Sequence, residues 1–214
     1  MTGAVATLHG RPSGRRGTVV LAAAAAVLLV VVAAVVVRTT RDQSNGLPSF
    51  NPRPLTGATA LHSQLGPGVR FDVPKTRFVE QDTPGILVLK FNDRTQGGLI
   101  AMRVASYPAG WGRDLARDVR RDNRVHIVSA SGATVAGEPA TRLVVNPVPG
   151  ITAAPWFCPV GGRPCMDINA TGGNTLYVFN HRGQRYMLVG GSLNADMTRA
   201  MRPVVDGAAA TWQW

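Results

Sequence analysis

Ile86-Leu-Val-Leu-Lys-Phe91 and Leu99-Ile-Ala-Met-Arg-Val104 carry the reading on which the fold turns. Both are short runs of apolar residues, separated by the polar Asn92-Asp93 turn region and the Gly97-Gly98 pair. Two such runs joined through turn residues predict neighbouring antiparallel strands. Upstream, Val69-Arg-Phe-Asp-Val73 alternates apolar and polar positions before Pro74, as an entering strand does. Downstream the period changes. Trp111, Leu115 and Val119 recur every four residues, while Asp114, Arg117, Asp118 and Arg121 occupy much of the other surface. That pattern predicts an amphipathic helix of about three turns.

Strand patterns then return. Val125-His-Ile-Val128, Ala133-Thr-Val135 and Thr141-Arg-Leu-Val-Val145 read as strands, with a turn at Gly137-Glu-Pro-Ala140. An irregular insertion follows over 147–173. Thr175-Leu-Tyr-Val-Phe179 and Arg185-Tyr-Met-Leu-Val189 make a hairpin through Asn180-His-Arg-Gly183. A last helix falls within residues 195–205, and Thr211-Trp-Gln-Trp214 reads as a closing strand with Trp212 and Trp214 on one face. The expectation is an α+β domain over 66–214, a single antiparallel β-sheet packed by two helices on one face.

Before that domain, an uninterrupted apolar run spans Val19 to Val37, with Arg15 and Arg16 ahead of it and Arg38 and Arg41 behind it. As a helix it would be roughly 28 Å long, close to the hydrocarbon thickness of a bilayer. It reads as one transmembrane helix (19–37) after a cytoplasmic tail (1–18). A cleaved signal peptide is the alternative, but no small-x-small site stands at the polar end of the run. The basic residues ahead of it favour an amino end inside and a domain outside the cell membrane. Residues 38–65, rich in Pro, Gly and polar side chains, read as an extracytoplasmic stalk.

The chain carries a formal charge of +11, which falls to +7 once residues 1–42, with their five arginines and one aspartate, are set aside. A surface of that sign suits anionic lipid, an acidic cell-wall polymer or an acidic protein patch. Nucleic acid is disfavoured, because no reading motif or aromatic-basic platform accompanies the charge. Cys158 and Cys165 enclose Pro-Val-Gly-Gly-Arg-Pro, a spacing suited to a short disulfide in an exported domain and unlike a Cys-x-x-Cys redox motif.

Catalytic signals are sparse. Ser131 and Ser192 lack the Gly-x-Ser-x-Gly elbow, and His62, His126 and His181 offer only a generic base. Asp114, Asp118 and Asp122 share four-residue spacing but stand among arginines, which favours surface ion pairs over a calcium or paired-carboxylate site. No catalytic residue, cofactor site or metal site is assigned; an exported hydrolase is the least favoured reading. Binding surfaces are more credible. Trp156 and Phe157, beside the cysteine loop, would either fill a partner's pocket or cover the domain's own core. Arg117, Arg120 and Arg121 would either form a binding patch or a solvated helix face.

Over residues 65–214 the order of elements resembles the PsbP-like family, including its LpqN-like actinobacterial lipoprotein branch. The resemblance rests on Val69-Arg-Phe-Asp-Val-Pro74, the helix after Ala105-Ser-Tyr-Pro108, the Val135-Ala-Gly-Glu-Pro-Ala-Thr-Arg-Leu143 hairpin, and Arg185-Tyr-Met-Leu-Val189 before a terminal helix and strand. It implies an exported accessory or binding domain rather than an enzyme. The cysteine-containing insertion and an apolar span in place of a lipidated cysteine depart from that pattern. The function expected is a membrane-anchored protein-binding or complex-assembly subunit whose partner is a membrane or envelope protein. A lipid- or anionic glycopolymer-binding protein is the second reading.

Overall fold

The computed structural model describes residues 46–91, 97–106, 114–151, 154–162, 165–168, 173–192 and 195–214. The chain forms two units, Met1–Asp42 and Gln43–Trp214, and every described residue belongs to the second. The expected tail (1–18), transmembrane helix (19–37), first part of the stalk and Trp111 all lie outside the described residues. Among the described residues no helix is long and apolar enough to cross a membrane.

In chain order the elements are β1 (Thr59–His62), β2 (Arg70–Val73), β3 (Phe78–Asp82), β4 (Ile86–Lys90), β5 (Gly98–Ser106), α1 (Leu115–Arg121), β6 (Val125–Val135), β7 (Glu138–Pro147), β8 (Ala154–Pro159), β9 (Met166–Ile168), β10 (Asn174–His181), β11 (Gln184–Gly191) and α2 (Ala195–Thr211). The large sheet runs β3-β4-β5-β11-β10-β7-β6 and is antiparallel throughout. β8 joins it on β5, and β9 pairs with β8. β5 changes partner at Arg103, whose N–H donates to Gly85 O while its carbonyl accepts from Val160 N. The α+β class and antiparallel pairing hold, but the sheet is not single: β1 and β2 form a separate two-stranded one.

The sheet is covered on both faces, where coverage of one was expected. Alternation along the central strands explains why. Tyr177 and Phe179 of β10 and Leu188 of β11 point into one cluster with Met201, Val204, Val205, Ala208 and Ala209 of α2. Leu176, Val178, Met187 and Val189 point into the other, with Leu115, Ala116 and Val119 of α1. A strand with no polar face must be covered twice, so the two helices lie on opposite sides. The α2 spacing of three and four residues supplies the matching stripe.

Two tight hairpins set the register. Ala136-Gly137 and Arg182-Gly183 both hold positive φ at both positions, the turn whose twist matches the paired strands. The β6–β7 turn therefore falls one residue earlier than the Gly137–Ala140 expectation, and β6 is one continuous strand bulged at Val128.

Three further expectations change. The insertion over 147–173 is not wholly irregular, because β8 and β9 form a hairpin closed by the Cys158–Cys165 disulfide. The second half of the stalk is part of the domain: Ser49 bridges Gly132 in parallel, and Leu47, Phe50 and Leu55 pack on the core. Leu55 lies on Gly207 of α2, where a side chain would meet it at 2.7 Å. The closing strand is a single bridge between Arg70 and Gln213, beyond a helix that runs on to Thr211 through Pro203. Trp212 and Trp214 do share a side, in a cluster where Phe71 stacks on Trp212 at 4.8 Å.

The cross-link restrains a short hairpin outside the central sheet, so its removal should loosen rather than abolish the fold. Urea unfolding of the paired C158S/C165S variant is expected to show a loss of about 2 kcal/mol.

Candidate functional site

β7 is buried on both faces, yet Arg142 stands in it. Arg142 lies opposite Tyr177 of β10 in the register and points to the α2 side. Its Nε and Nη2 donate to Oδ1 and Oδ2 of Asp206 at 2.9 and 3.0 Å, a two-pronged pair. The Tyr177 hydroxyl donates to the same Asp206 Oδ1 at 2.7 Å. The Phe50 ring covers the guanidinium at 4.1 Å. Burial pushes the Tyr177 hydroxyl up, and the Asp206 charge beside it pushes it further, so it remains a donor. Burial acts to lower the Arg142 value, but its bonds to Asp206 outweigh that and raise it. The composition gave one signal for this network, a charged residue inside the apolar run 141–145; it named neither partner.

Beside the network lies a groove of ≈ 550 Å³ between the segment 50–56 and α2, with Pro203 and Asp206 on the helix side. Both Asp206 oxygens are already engaged, and Pro203 presents no N–H. The arrangement suits a latch that seats the N-terminal segment on α2 more than it suits chemistry.

Trp156 and Phe157 are 2% and 0% exposed, which decides between their two readings against the partner contact. A shift of register between Pro155 and Phe157 lets consecutive aromatics both turn inward, with ring centroids 4.7 Å apart. They cover the domain's own core. Arg117, Arg120 and Arg121 are exposed on α1. The structure thus brings together the three arginines on one short helix and separates them from the aromatic pair, which is interior.

The aspartates among these arginines are committed to structure. Asp114 caps α1 by accepting from Arg117 N at 2.9 Å. Asp118 is buried, with Arg117 Nε at 3.6 Å from it. Asp122 takes Arg124 on both oxygens, at 2.8 and 2.7 Å. Burial raises the Asp122 carboxyl, but the Arg124 contacts overcome this and hold it below its ordinary value. Ser131 is buried on β6, and His181 is held by Glu138 at 2.8 Å and stacked on Trp214. Among the described residues no three His, Cys, Asp or Glu side chains converge on a metal-sized site.

The two edges of the large sheet differ. β6 is met at Gly132 by the chain entering at residues 48–50, through Phe50 N to Gly132 O and Gly132 N to Pro48 O. β3 has no strand on its outer side among the described residues, and its Phe78 and Val79 are 57% and 43% exposed. A bulge follows at Glu80, which pairs with Lys90 at 2.7 Å.

No family model matches the chain. No curated protein matches it either. Among solved structures it is similar to cyanobacterial PsbP (CyanoP) from Synechocystis sp. PCC 6803, at 15% identity and a TM-score of 0.42, over 74% of this chain and 93% of that one. It is similar also to the Ran-binding protein Mog1p of Saccharomyces cerevisiae, at 10% identity and 0.42, over 72% and 88%. A Bacteroides thetaiotaomicron protein matches at 8% identity and 0.40, over 74% of this chain and 48% of its own. These likenesses are weak and extend to no particular residue or activity.

Two outcomes test the charges just described. Arg142→Met leaves Asp206 and Tyr177 facing a lost partner and should cost about 3 kcal/mol in urea unfolding, most of it recovered in R142M/D206L. Asp122, with its depressed value, contributes stability above the unfolded carboxylate value of about 3.9. That contribution fades as pH falls through the lower folded value. The stability gap between the parent and D122N should therefore be full at neutral pH and close only in strong acid.

Proposed function

We propose that this chain is a membrane-anchored, extracytoplasmic protein-binding or complex-assembly subunit that takes an extended segment of its partner along the outer edge of β3. The anchor reading rests on the apolar run 19–37. Export is supported by the Cys158–Cys165 bond, which belongs to an oxidising compartment.

The open edge of β3 is the observation that carries the binding reading. Unpaired backbone N–H and C=O groups on a sheet edge are a template for another strand. Here they are accompanied by two exposed apolar side chains, while the opposite edge is met at Gly132 by the chain itself. The Glu80 bulge limits the added segment to a short one.

The second reading, a pocket for lipid or glycopolymer at the sheet–helix junction, has less support. That junction is filled by Leu115, Ala116 and Val119 packed against the sheet side chains. What favours an anionic contact is the outer face of α1 instead.

A photo-crosslinking residue placed at Lys75 in the full chain, in native membranes, should capture a stoichiometric protein. F78K/V79K should weaken that association about tenfold or more, since each apolar side chain is worth about 1.5–3 kcal/mol when buried. Folding stability should move by no more than about 0.5 kcal/mol. Crosslinking that is absent, or indifferent to F78K/V79K, overturns the edge as the site.

A further inference from the structure

Residues 38–46 are all that separate the end of the apolar run at Val37 from Leu47, the first described side chain packed on the domain. Fully extended, the ten steps from Val37 to Leu47 span at most about 36 Å. Composition alone suggested three times the tether, because it counted residues 47–65 as stalk. With 19–37 read as a bilayer anchor, a reading on which this inference rests, Leu47 stays within that distance of the lipid surface. Leu47 also packs into the same cluster as Leu115, Ala116 and Val119, so the chain reaches the domain on the α1 side of the sheet before crossing the β6 edge at Ser49.

The outer face of α1 is cationic in a particular way. Each carboxylate near it is engaged: Asp114 by the Arg117 backbone N–H, Asp118 by the Arg117 side chain, and Asp122 by Arg124. Arg120 and Arg121 are exposed and have no ion pair among the described residues. At the same end, Val148 is 37% exposed, and its N–H donates to Arg124 O at 2.9 Å. Two uncompensated guanidinium groups on a helix that leads into Arg124, where the exposed Val148 is fastened, have the make-up of a shallow contact with headgroup phosphates.

We infer that the outer face of α1 is a contact for an anionic lipid surface, with Arg120 and Arg121 meeting headgroup phosphates and Val148 resting at their margin. The short tether keeps the domain within reach, and the charge selects the face. Lipid composition then governs how the domain stands on its membrane.

The test uses the full chain in nanodiscs of phosphatidylcholine alone or with phosphatidylglycerol, both carrying the same fraction of a nickel-chelating lipid. A nitroxide on Asn123→Cys, beside α1, reports nickel proximity by its relaxation. Enhancement is expected in the anionic discs, weakened by high salt. R120Q/R121Q should lower the anionic preference about fivefold per arginine, and R120K/R121K should restore it. Equal relaxation in both discs, or no response to R120Q/R121Q, overturns the inference. So does a soluble polyphosphate that abolishes the enhancement at matched phosphate concentration, because it assigns the face to a polymer rather than to lipid. A chain that fails to enter the discs overturns the anchor reading and this inference with it, whereas a chain that enters without lipid preference overturns this inference alone.

Discussion

Two-sided burial of the β10–β11 hairpin is the constraint from which the rest of the architecture follows. Every residue from Thr175 to Phe179 and from Tyr186 to Gly190 is buried. A strand in that condition has no solvent face to offer, so each side of the sheet needs its own cover. α2 and the β1–β2 hairpin supply one, and α1 with β8 and β9 the other. The placement of the helices on opposite faces is therefore a consequence of the hairpin's composition and not an independent choice of the connecting segments.

Much of this was legible from the sequence, and the failures share a cause. The strands were found because they are short, apolar and bounded by turn residues, and the Asn180–Gly183 connection because it is polar and lies between two such runs. The one-face expectation arose although Leu-Tyr-Val-Phe, 176–179, carries no polar alternation at all, which is the signature of double coverage. Residues 47–65 were misread because prolines and glycines describe local stiffness and say nothing of what the chain lies against; Phe50 and Leu55 find their partners, Arg142 and Gly207, far along the sequence. Trp156 and Phe157 were ambiguous for a different reason. Strict alternation would send one outward, and the register shift that brings both inward leaves no mark in composition.

The Arg142–Asp206–Tyr177 network shows how charge enters such a core. A guanidinium in a doubly buried strand is tolerated only where its donors are met, and Asp206 meets two of them while Tyr177 fills remaining acceptor capacity. Phe50 closes the open face of the group. The pair joins β7 to α2, and through Phe50 it joins both to the segment that enters the domain. Sheet, helix and entering chain are thus held at one point, which explains why a proline-rich segment follows the surface of α2 instead of standing clear of it.

The unequal edges of the large sheet set the arithmetic of association. A sheet open at both ends can be extended indefinitely by copies of itself, because each addition exposes the edge that the last one covered. Here the β6 side is met at Gly132 by the chain's own residues 48–50 and bulged at Val128, whereas β3 has no strand on its outer side among the described residues. The entering chain thus interrupts the β6 edge at its middle, while β3 carries no such contact among those residues. Copies of the chain meeting edge to edge would find a bare strand at one end of the sheet and a strand already crossed by its own entering segment at the other, so the sheet does not extend equally in both directions.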